Sequence, residues 1–151
     1  MELRYGHLIR ILQTCADQTM TGTLAEMELT AAQGHIMGFI HHSKQPPCAK
    51  DIEAAFQLSH PTVSGLLARL EKKGFIELRP DETDRRVKRI YTQEKGQRLH
   101  EMVHEAIGRN EQRLVQDFTE EEKRVFQELL LRAIHNMGAS PCRRKKEEAE
   151  I

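Results

Sequence analysis

Two histidines and a glutamate stand at the spacing that binds and activates zinc in many peptidases. The string H-E-x-x-H, from His100 to His104, would place two imidazoles one turn apart on a helix with Glu101 beside them as general base. The longer metzincin motif fails, since Ile107 and Asn110 occupy positions where it requires Gly and His. With the 8 histidines and 18 glutamates of this chain, chance alone gives such a string in roughly one sequence in twenty. A zinc hydrolase is therefore the weakest alternative, and we predict that the chain is not an enzyme.

Between residues 59 and 69 the side chains are small, hydroxylated or basic, a combination suited to contacts with DNA. Small residues near a helix N-terminus let the backbone approach a groove, hydroxyls reach phosphates or base edges, and an arginine spans to a phosphate or a guanine. The residues that we assign to this contact are Ser59, His60, Pro61, Thr62, Ser64, Gly65 and Arg69. A second charged group, rich in arginine, follows at Asp84, Arg85, Arg86 and Lys88.

The elements predicted around the first group are two helices joined by a tight turn. A short helix covers about Ala49 to Phe56, and a second helix begins three residues later, with Ser59 as its N-cap and Pro61 in its first turn. The inner stripe of the second helix has helical spacing and consists of Val63, Leu66, Leu67 and Leu70. Gly74 ends this helix as a C-terminal glycine.

A β-hairpin is predicted directly after these helices. Residues 75–79 and 87–91 are typical of strands, and the polar turn 80–84 separates them. Two helices followed by a hairpin form a winged helix-turn-helix, whose second helix enters the major groove of DNA. Residues 44–95 carry 11 Lys/Arg against 8 Asp/Glu, so this part of the chain is mildly basic.

Further helices are predicted on both sides. An amphipathic helix covers residues 3–20, its apolar side formed by Leu8, Ile11, Leu12 and Cys15, and Thr21-Gly22-Thr23 interrupts it. The next helix begins at a capping box formed by Thr30 and Gln33 and stops before Pro46-Pro47.

The C-terminal part contains two more predicted helices and a tail. A long helix covers about Thr92 to Phe118, and the last one begins at the capping box of Thr119 and Glu122 and is closed by Gly138. Residues 139–151, with the basic run Arg143–Lys146, are predicted as a disordered tail.

Composition narrows the class of protein. The chain has 151 residues, a length typical of about one domain, and equal numbers of basic and acidic residues, 23 each. This balance excludes a histone-like protein that coats DNA by charge alone. Apolar residues make up only 38% of the chain, which favours a helical protein that completes its core by dimerising.

Location and redox state are also predicted from composition. We expect a cytoplasmic protein without a membrane partner, because no apolar stretch approaches the length of a membrane span or the core of a secretory signal. Cys15, Cys48 and Cys142 are odd in number and widely spaced, so we expect reduced thiols. We predict that Cys15 is a buried structural thiol, with a redox sensor as the alternative.

Several segments resemble the MarR family of bacterial transcription regulators. They are Leu70-Glu71-Lys72-Lys73-Gly74-Phe75-Ile76, Asp84-Arg85-Arg86 with the sequence on to Gly96, and the capped entry Leu29-Thr30-Ala31-Ala32-Gln33. The Asp-x-Arg of the wing is the most specific of these. The resemblance extends over about residues 5–137 and implies a mainly α fold with a small β-hairpin. In that fold a winged helix-turn-helix lies between N- and C-terminal dimerisation helices.

The resemblance implies roles for individual residues. Residues 59–69 match the recognition helix. Arg86 would enter the minor groove, where negative potential is concentrated, while Asp84 would orient the arginines of the wing. The chain departs from the family at Thr92 and Gln93, which replace the usual Leu-Thr, so we predict that the cap of the long helix moves to Thr92.

The resemblance also implies an organisation for the whole chain. Residues 1–151 would be a single domain, with dimerisation helices at about 1–28 and 97–138 and the winged helix-turn-helix at about 44–95. We expect a homodimeric repressor that binds a pseudo-palindromic operator in double-stranded DNA. An unknown small molecule or ion would release it, and no cofactor is needed for DNA binding.

A zinc-responsive regulator is the main alternative. His35 and Asp17 fall on ligand positions of the zinc-sensing branch of the family. The two histidine positions of that branch on the long helix are Val103 and Ile107 here, which cannot bind zinc. His100 and His104 lie nearby but out of phase, so we keep Asp17, His35, His100 and His104 as candidate ligands. The peroxide-sensing branch has a Tyr where Ala31 stands, and its reactive Cys lies further ahead of the second helix than Cys15 does here.

Overall fold

The computed structural model describes residues 4–139, which form six helices and a two-stranded antiparallel sheet. The helices are α1 (Tyr5–Glu26), α2 (Ala31–His42), α3 (Ala49–Phe56), α4 (His60–Lys72), α5 (Glu94–Leu114) and α6 (Glu120–Asn136). The strands β1 (Ile76–Pro80) and β2 (Lys88–Thr92) form a hairpin in which Leu78 lies opposite Ile90. The mainly α fold with a small β-hairpin is confirmed.

The chain divides into two compact units. The first extends to Asn110 and the second begins at Glu111, so that α5 contributes to both. The predicted tail beyond residue 139, with Cys142 and the run Arg143–Lys146, lies outside the described residues. Of the helices between residues 4 and 139, none combines the length and the apolar character that crossing a membrane requires.

The core of the first unit lies where the helix-turn-helix meets the hairpin. Its fully buried side chains come from α2, α3, α4, the segment between α4 and β1, and the two strands. The largest are Phe75, Ile36, Ile52, Leu70, Ile76, Ile90 and Val63. In α4, Val63, Leu67 and Leu70 are buried and Leu66 is half-buried, which confirms the predicted stripe. The helix is thereby oriented with its opposite face to solvent.

Local sequence determines where α2 and α6 begin and where α4 ends. Thr30 and Gln33 cap α2 reciprocally, since each backbone N–H donates to the side-chain oxygen of the other residue. Thr119 and Glu122 cap α6 in the same way. Gly74 follows α4 with φ 82°, a left-handed conformation that glycine adopts without steric cost.

Three predicted helix boundaries are wrong. α1 continues through Thr21-Gly22-Thr23 to Glu26, because the hydroxyl of Thr23 donates to the carbonyl of Thr19 within the helix instead of breaking it. α5 begins at Glu94, and Thr92 is the last residue of β2 instead of the helix cap. The N–H of Gln93 donates to the carbonyl of Phe75 and holds the strand conformation up to the helix. α5 also ends at Leu114, short of the predicted Phe118.

The first and last helices each expose an apolar face. Within α1 the exposed large apolar side chains are Tyr5, Leu8, Ile9, Ile11 and Leu12, and α6 has no buried residue at all. In and around α6 the exposed apolar side chains are Val125, Leu129, Leu130, Leu131 and Met137. Cys15 is exposed, so the prediction of a buried thiol is wrong: the side of α1 that carries it does not pack against the described core.

Candidate nucleic-acid interface

The outer face of α4 presents every residue that the sequence assigned to the first group. Ser59, His60, Pro61, Thr62, Ser64, Gly65 and Arg69 are all exposed. Ser59 has the extended backbone of an N-cap, but its hydroxyl is paired with the hydroxyl of Thr62, 2.9 Å away, and makes no side-chain cap bond to the helix backbone. The N-terminus of α4 is therefore open to a partner from outside the chain.

His60, at the start of α4, is held by a residue of the preceding helix. Its Nδ1 lies 2.5 Å from Oε1 of Glu53 in α3. Between the two helices Gln57 adopts the left-handed conformation with φ 52°, and the N–H of Leu58 donates to the carbonyl of Glu53. The turn thus brings the Glu53 carboxylate next to the first residue of α4. Glu53 was not predicted from the sequence, because an acidic residue on a short helix gives no signal of this contact.

The tip of the wing is a compact loop that exposes basic side chains. Oδ1 of Asp84 accepts a hydrogen bond of 3.0 Å from the N–H of Arg86, and the Asp84 carbonyl accepts another from the N–H of Val87. Arg85, Arg86 and Lys88 are exposed. Within residues 4–139 the guanidinium groups of Arg85 and Arg86 form no salt bridge. Asp84 thus acts on the backbone of the loop, and the arginine side chains stay available.

The base of the wing is organised by Asp81, which was predicted from the sequence only as a turn residue. Oδ1 accepts hydrogen bonds from the hydroxyl and N–H of Thr83 and from the N–H of Asp84, and Oδ2 accepts one from Nε of Arg89 over 2.6 Å. The bonds from Thr83, then the one from Arg89, hold the pKa of Asp81 well below its usual range. An aspartate two residues before a threonine in a turn is the signal that could have identified it.

Arg89 also connects the hairpin to the helix-turn-helix. Its Nη1 donates to the carbonyl of Pro46 over 3.4 Å, and its backbone pairs with Cys48 in an isolated bridge. The N–H of Ile90 donates to the carbonyl of Pro47 over 2.8 Å. The segment that leads into α3 is therefore bonded edge-on to β2, and the wing and the helix pair form one framework.

The candidate zinc ligands are not brought together as predicted. The ring of His100 stacks on that of His41, with the centroids 3.3 Å apart, and lies 6.1 Å from His42 and 6.3 Å from His104. We call these four residues the histidine cluster. Burial, and then the neighbouring histidines, lower the pKa of His100.

A metal site does not result from this arrangement. No group of three or more His, Cys, Asp or Glu side chains within residues 4–139 is placed to hold a metal ion. Asp17 is exposed and accepts a hydrogen bond from Gln13, and His35 is exposed on α2. The alternative of a zinc site built from His35, His100 and His104 is therefore not supported by the described residues.

Comparison with known proteins decides the family. A family model described as MarR family matches residues 18–87. The crystal structure of the Staphylococcus aureus MepR–DNA complex is 30% identical, with a TM-score of 0.78, over 88% of this chain and 99% of that one. The chain belongs to the MarR family.

A second structure of MepR and one further relative agree with this membership. S. aureus MepR bound to ethidium bromide is 30% identical with a TM-score of 0.70, over 89% of this chain and 97% of that one. YybA of Bacillus subtilis (strain 168), named an uncharacterized HTH-type transcriptional regulator, is 22% identical over 111 residues, 73% of this chain and 74% of that protein. This MarR family protein is a transcription regulator that binds DNA, and not an enzyme.

Proposed function

We propose that this MarR family protein is a homodimeric, sequence-specific repressor that reads a pseudo-palindromic operator with α4 and the wing. The observation that carries the proposal is the pairing of two exposed groups on one framework. These are the N-terminal half of α4 and the wing tip with Arg86. The complex of MepR with DNA supports the same use of the fold here.

The two groups suit the two grooves of DNA. The open N-terminus of α4 and its small residues suit the major groove, where hydroxyls and Arg69 contact phosphates and base edges. The wing tip offers Arg86 to the adjacent minor groove, whose narrow parts attract arginine. In this proposal Ser59, His60, Pro61, Thr62, Ser64, Gly65 and Arg69 form one half of the interface, and Asp84, Arg85, Arg86 and Lys88 form the other half.

The exposed apolar residues of α1 and α6 support a homodimer. Ile9 is 56% exposed and Leu129 is 52% exposed, and each lies in a helix with several similar neighbours. Burying a leucine or isoleucine side chain is worth roughly 1.5–3 kcal/mol, so a second copy that covers these faces gains considerable stability. A two-fold dimer presents two copies of α4 to half-sites about 34–36 Å apart, which accounts for a pseudo-palindromic operator.

Repression and its release follow from where such a dimer binds. Occupying an operator that overlaps a promoter blocks transcription in the cytoplasm. MepR has been solved with ethidium bromide bound, and we propose that the effector here is also a small organic molecule. Such a molecule releases the repressor from the operator only if it binds more tightly to one conformation of the dimer. In that conformation the spacing of the two α4 helices does not fit the half-sites of B-DNA.

The test begins with operators selected from a random pool of duplexes. Binding of the purified chain to the selected duplex is then measured by fluorescence anisotropy at two salt concentrations. We expect a pseudo-palindromic sequence, tight binding that weakens steeply with salt, and equal affinity after treatment with EDTA. Binding that does not discriminate between sequences would contradict the proposal.

The oligomeric state of the protein and the direction in which it changes transcription are measured separately. Sedimentation should give twice the 17.5 kDa mass of the chain at the concentrations where the operator is bound. Transcription in vitro from a promoter that overlaps the selected operator should fall as the protein is added. A monomer, or a rise in transcription, would contradict the dimer or the repressor, respectively.

A further inference from the structure

A pair of side chains at the start of α4 suggests how one base is read. His60 is the first residue of α4, and its side chain is 72% exposed. Glu53 lies in α3, and its side chain is only 23% exposed. The two are joined by the 2.5 Å contact between His60 Nδ1 and Glu53 Oε1. An exposed ring is thus tied to a largely covered carboxylate.

The contact with Glu53 determines which nitrogen of the His60 ring carries the hydrogen. An ionised carboxylate only accepts hydrogen bonds, so Nδ1 of His60 must carry the hydrogen that it donates to Glu53. In its neutral form the ring then presents Nε2 as an acceptor, because one nitrogen of a neutral imidazole donates and the other accepts. In the major groove the hydrogen-bond donors on base edges are the exocyclic amines of adenine and cytosine.

We propose that Glu53 is a positioning residue for DNA reading, which holds His60 so that Nε2 accepts a hydrogen bond from the amine of one adenine or cytosine in each half-site. This rests on the proposed function, in which α4 lies in the major groove. Glu53 itself does not touch DNA.

The surroundings of Glu53 make it a firm support. Its neighbour Ile52 is fully buried and anchors α3 in the core. The carbonyl of Glu53 accepts the N–H of Leu58, which fixes the turn into α4. Without the carboxylate the exposed ring of His60 would sample other rotamers and either tautomer. Ordering the ring on binding would then cost conformational entropy, which reduces the free energy gained from the hydrogen bond to the base.

The experiment compares two variants that carry the same charge. Glu53→Ala and Glu53→Gln both remove one negative charge, but the amide oxygen of glutamine still accepts the hydrogen from Nδ1. Each variant, wild type and His60→Ala are titrated against the selected operator and against operators changed one base pair at a time. Circular dichroism and urea unfolding check that every variant is folded.

The expected result is a loss of discrimination at one position. At a single A·T or C·G pair in each half-site, Glu53→Ala and His60→Ala should reduce the ratio of affinities for the selected and the changed operator about five- to tenfold. This is the effect expected from the loss of one hydrogen bond, and Glu53→Gln should retain most of the ratio. In the double variant Glu53→Ala/His60→Ala, the loss should equal that of His60→Ala alone.

Other outcomes would overturn the inference in distinct ways. Additive losses in the double variant would mean that Glu53 does not act through His60. A uniform loss for every sequence in His60→Ala would indicate a phosphate contact, and a requirement for guanine would indicate a donating ring. If wild type discriminates between sequences while all these variants match it, the positioning role fails but the proposed function stands. If wild type does not discriminate, the proposed function fails first.

Discussion

The guanidinium of Arg89 donates to the carboxylate of Asp81 over 2.6 Å, and this contact closes the base of the wing. Arg89 lies in β2 and Asp81 directly follows β1, so the bond spans the hairpin. The same guanidinium donates to the carbonyl of Pro46 in the segment before α3. Asp81 therefore determines where the exposed arginines of the tip lie relative to α4, without being part of the proposed DNA surface.

The first prediction concerns this anchor. Asp81→Ala removes the acceptor for Thr83, Asp84 and Arg89, so the tip becomes disordered and must be ordered again on binding DNA. We expect the operator affinity to fall about five- to tenfold, measured by fluorescence anisotropy. The matched control is Glu82→Ala, which removes the same charge from the neighbouring exposed residue. Equal affinities for the two variants would show that the anchor is dispensable.

The second prediction concerns the arginine at the tip. Arg86→Ala should weaken operator binding at least several-fold and reduce the salt dependence by about one released counterion, since one cation no longer enters the minor groove. Its urea unfolding should be unchanged, because the side chain is exposed. Unchanged affinity would remove Arg86 from the interface.

The control for Arg86 is an arginine of the same unit that lies far from the proposed DNA surface. Arg109 is 62% exposed and lies 15 residues after the start of α5, about 22 Å along the helix. Arg109→Ala changes the net charge equally and should leave the operator affinity within about twofold. An equal loss in both variants would show that overall charge, and not the wing, determines the affinity.

The boundaries of α2 and α4 could be predicted because their signals are local. The reciprocal cap of Thr30 and Gln33, the apolar spacing of Val63 and Leu67, and Gly74 after α4 each act within one or two turns. The boundary at Thr92 failed for the opposite reason. Its conformation is determined by pairing with Ile76 across the hairpin, and that tertiary contact overrides the preference of threonine for a cap.

The partners of the supporting residues of the site could not be predicted for a similar reason. The exposed residues of α4 follow from helix periodicity once the inner stripe is known. Glu53 and Asp81 act through partners on other elements, His60 and Arg89, and nothing in the spacing of these residues identifies the pairs. The stack of His100 on His41 likewise joins two helices, α2 and α5. Motif spacing suggested His100 as a zinc ligand and gave no sign of this contact.

The third prediction tests the close approach of α5 to the end of α4. A Cβ at Gly96 would lie 2.6 Å from the carbonyl oxygen of Phe75 and 2.9 Å from a methyl carbon of Met37. We expect Gly96→Ala to destabilise the protein by about 1–3 kcal/mol in urea unfolding, since backbone must move. Gly108 lies in the same helix with open space around it, so Gly108→Ala should stabilise by about 0.5–1 kcal/mol. A Gly96→Ala variant as stable as wild type would contradict the packing.

The fourth prediction concerns acid and the histidine cluster. The pKa of His100 is lowered by burial and by His41, His42 and His104, and Glu101 opposes this only partly. Below about pH 6.5, the ordinary value, the unfolded chain therefore binds a proton more readily than the folded one. The free energy of unfolding should fall as the pH drops through this value and level off once the folded ring is protonated.

The variant His100→Gln isolates this contribution. It removes the ring whose pKa is lowered, so part of the acid-induced loss of stability should disappear. His135→Gln, at an exposed histidine of α6 that has no ring contact within residues 4–139, serves as control and should keep the wild-type profile. Urea unfolding between about pH 5 and 8 measures all three proteins. Parallel profiles for wild type and His100→Gln would exclude a role of His100 in the acid response.

The last prediction concerns the apolar face of α6. Leu129 is 52% exposed in the single chain, and we propose that a second copy covers it. Leu129→Glu would bury a carboxylate in that interface, which costs several kcal/mol, so the dimer should dissociate at concentrations where wild type stays dimeric. Because the two half-sites are then bound separately, the operator affinity should fall by at least about a hundredfold.

The control is Gln127→Glu, which adds the same charge about 200° around the helix with almost no change in shape. It should leave the dimer and the operator affinity intact. Sedimentation and anisotropy on the same samples measure them, and a Leu129→Glu variant that remains dimeric would exclude this face from the interface.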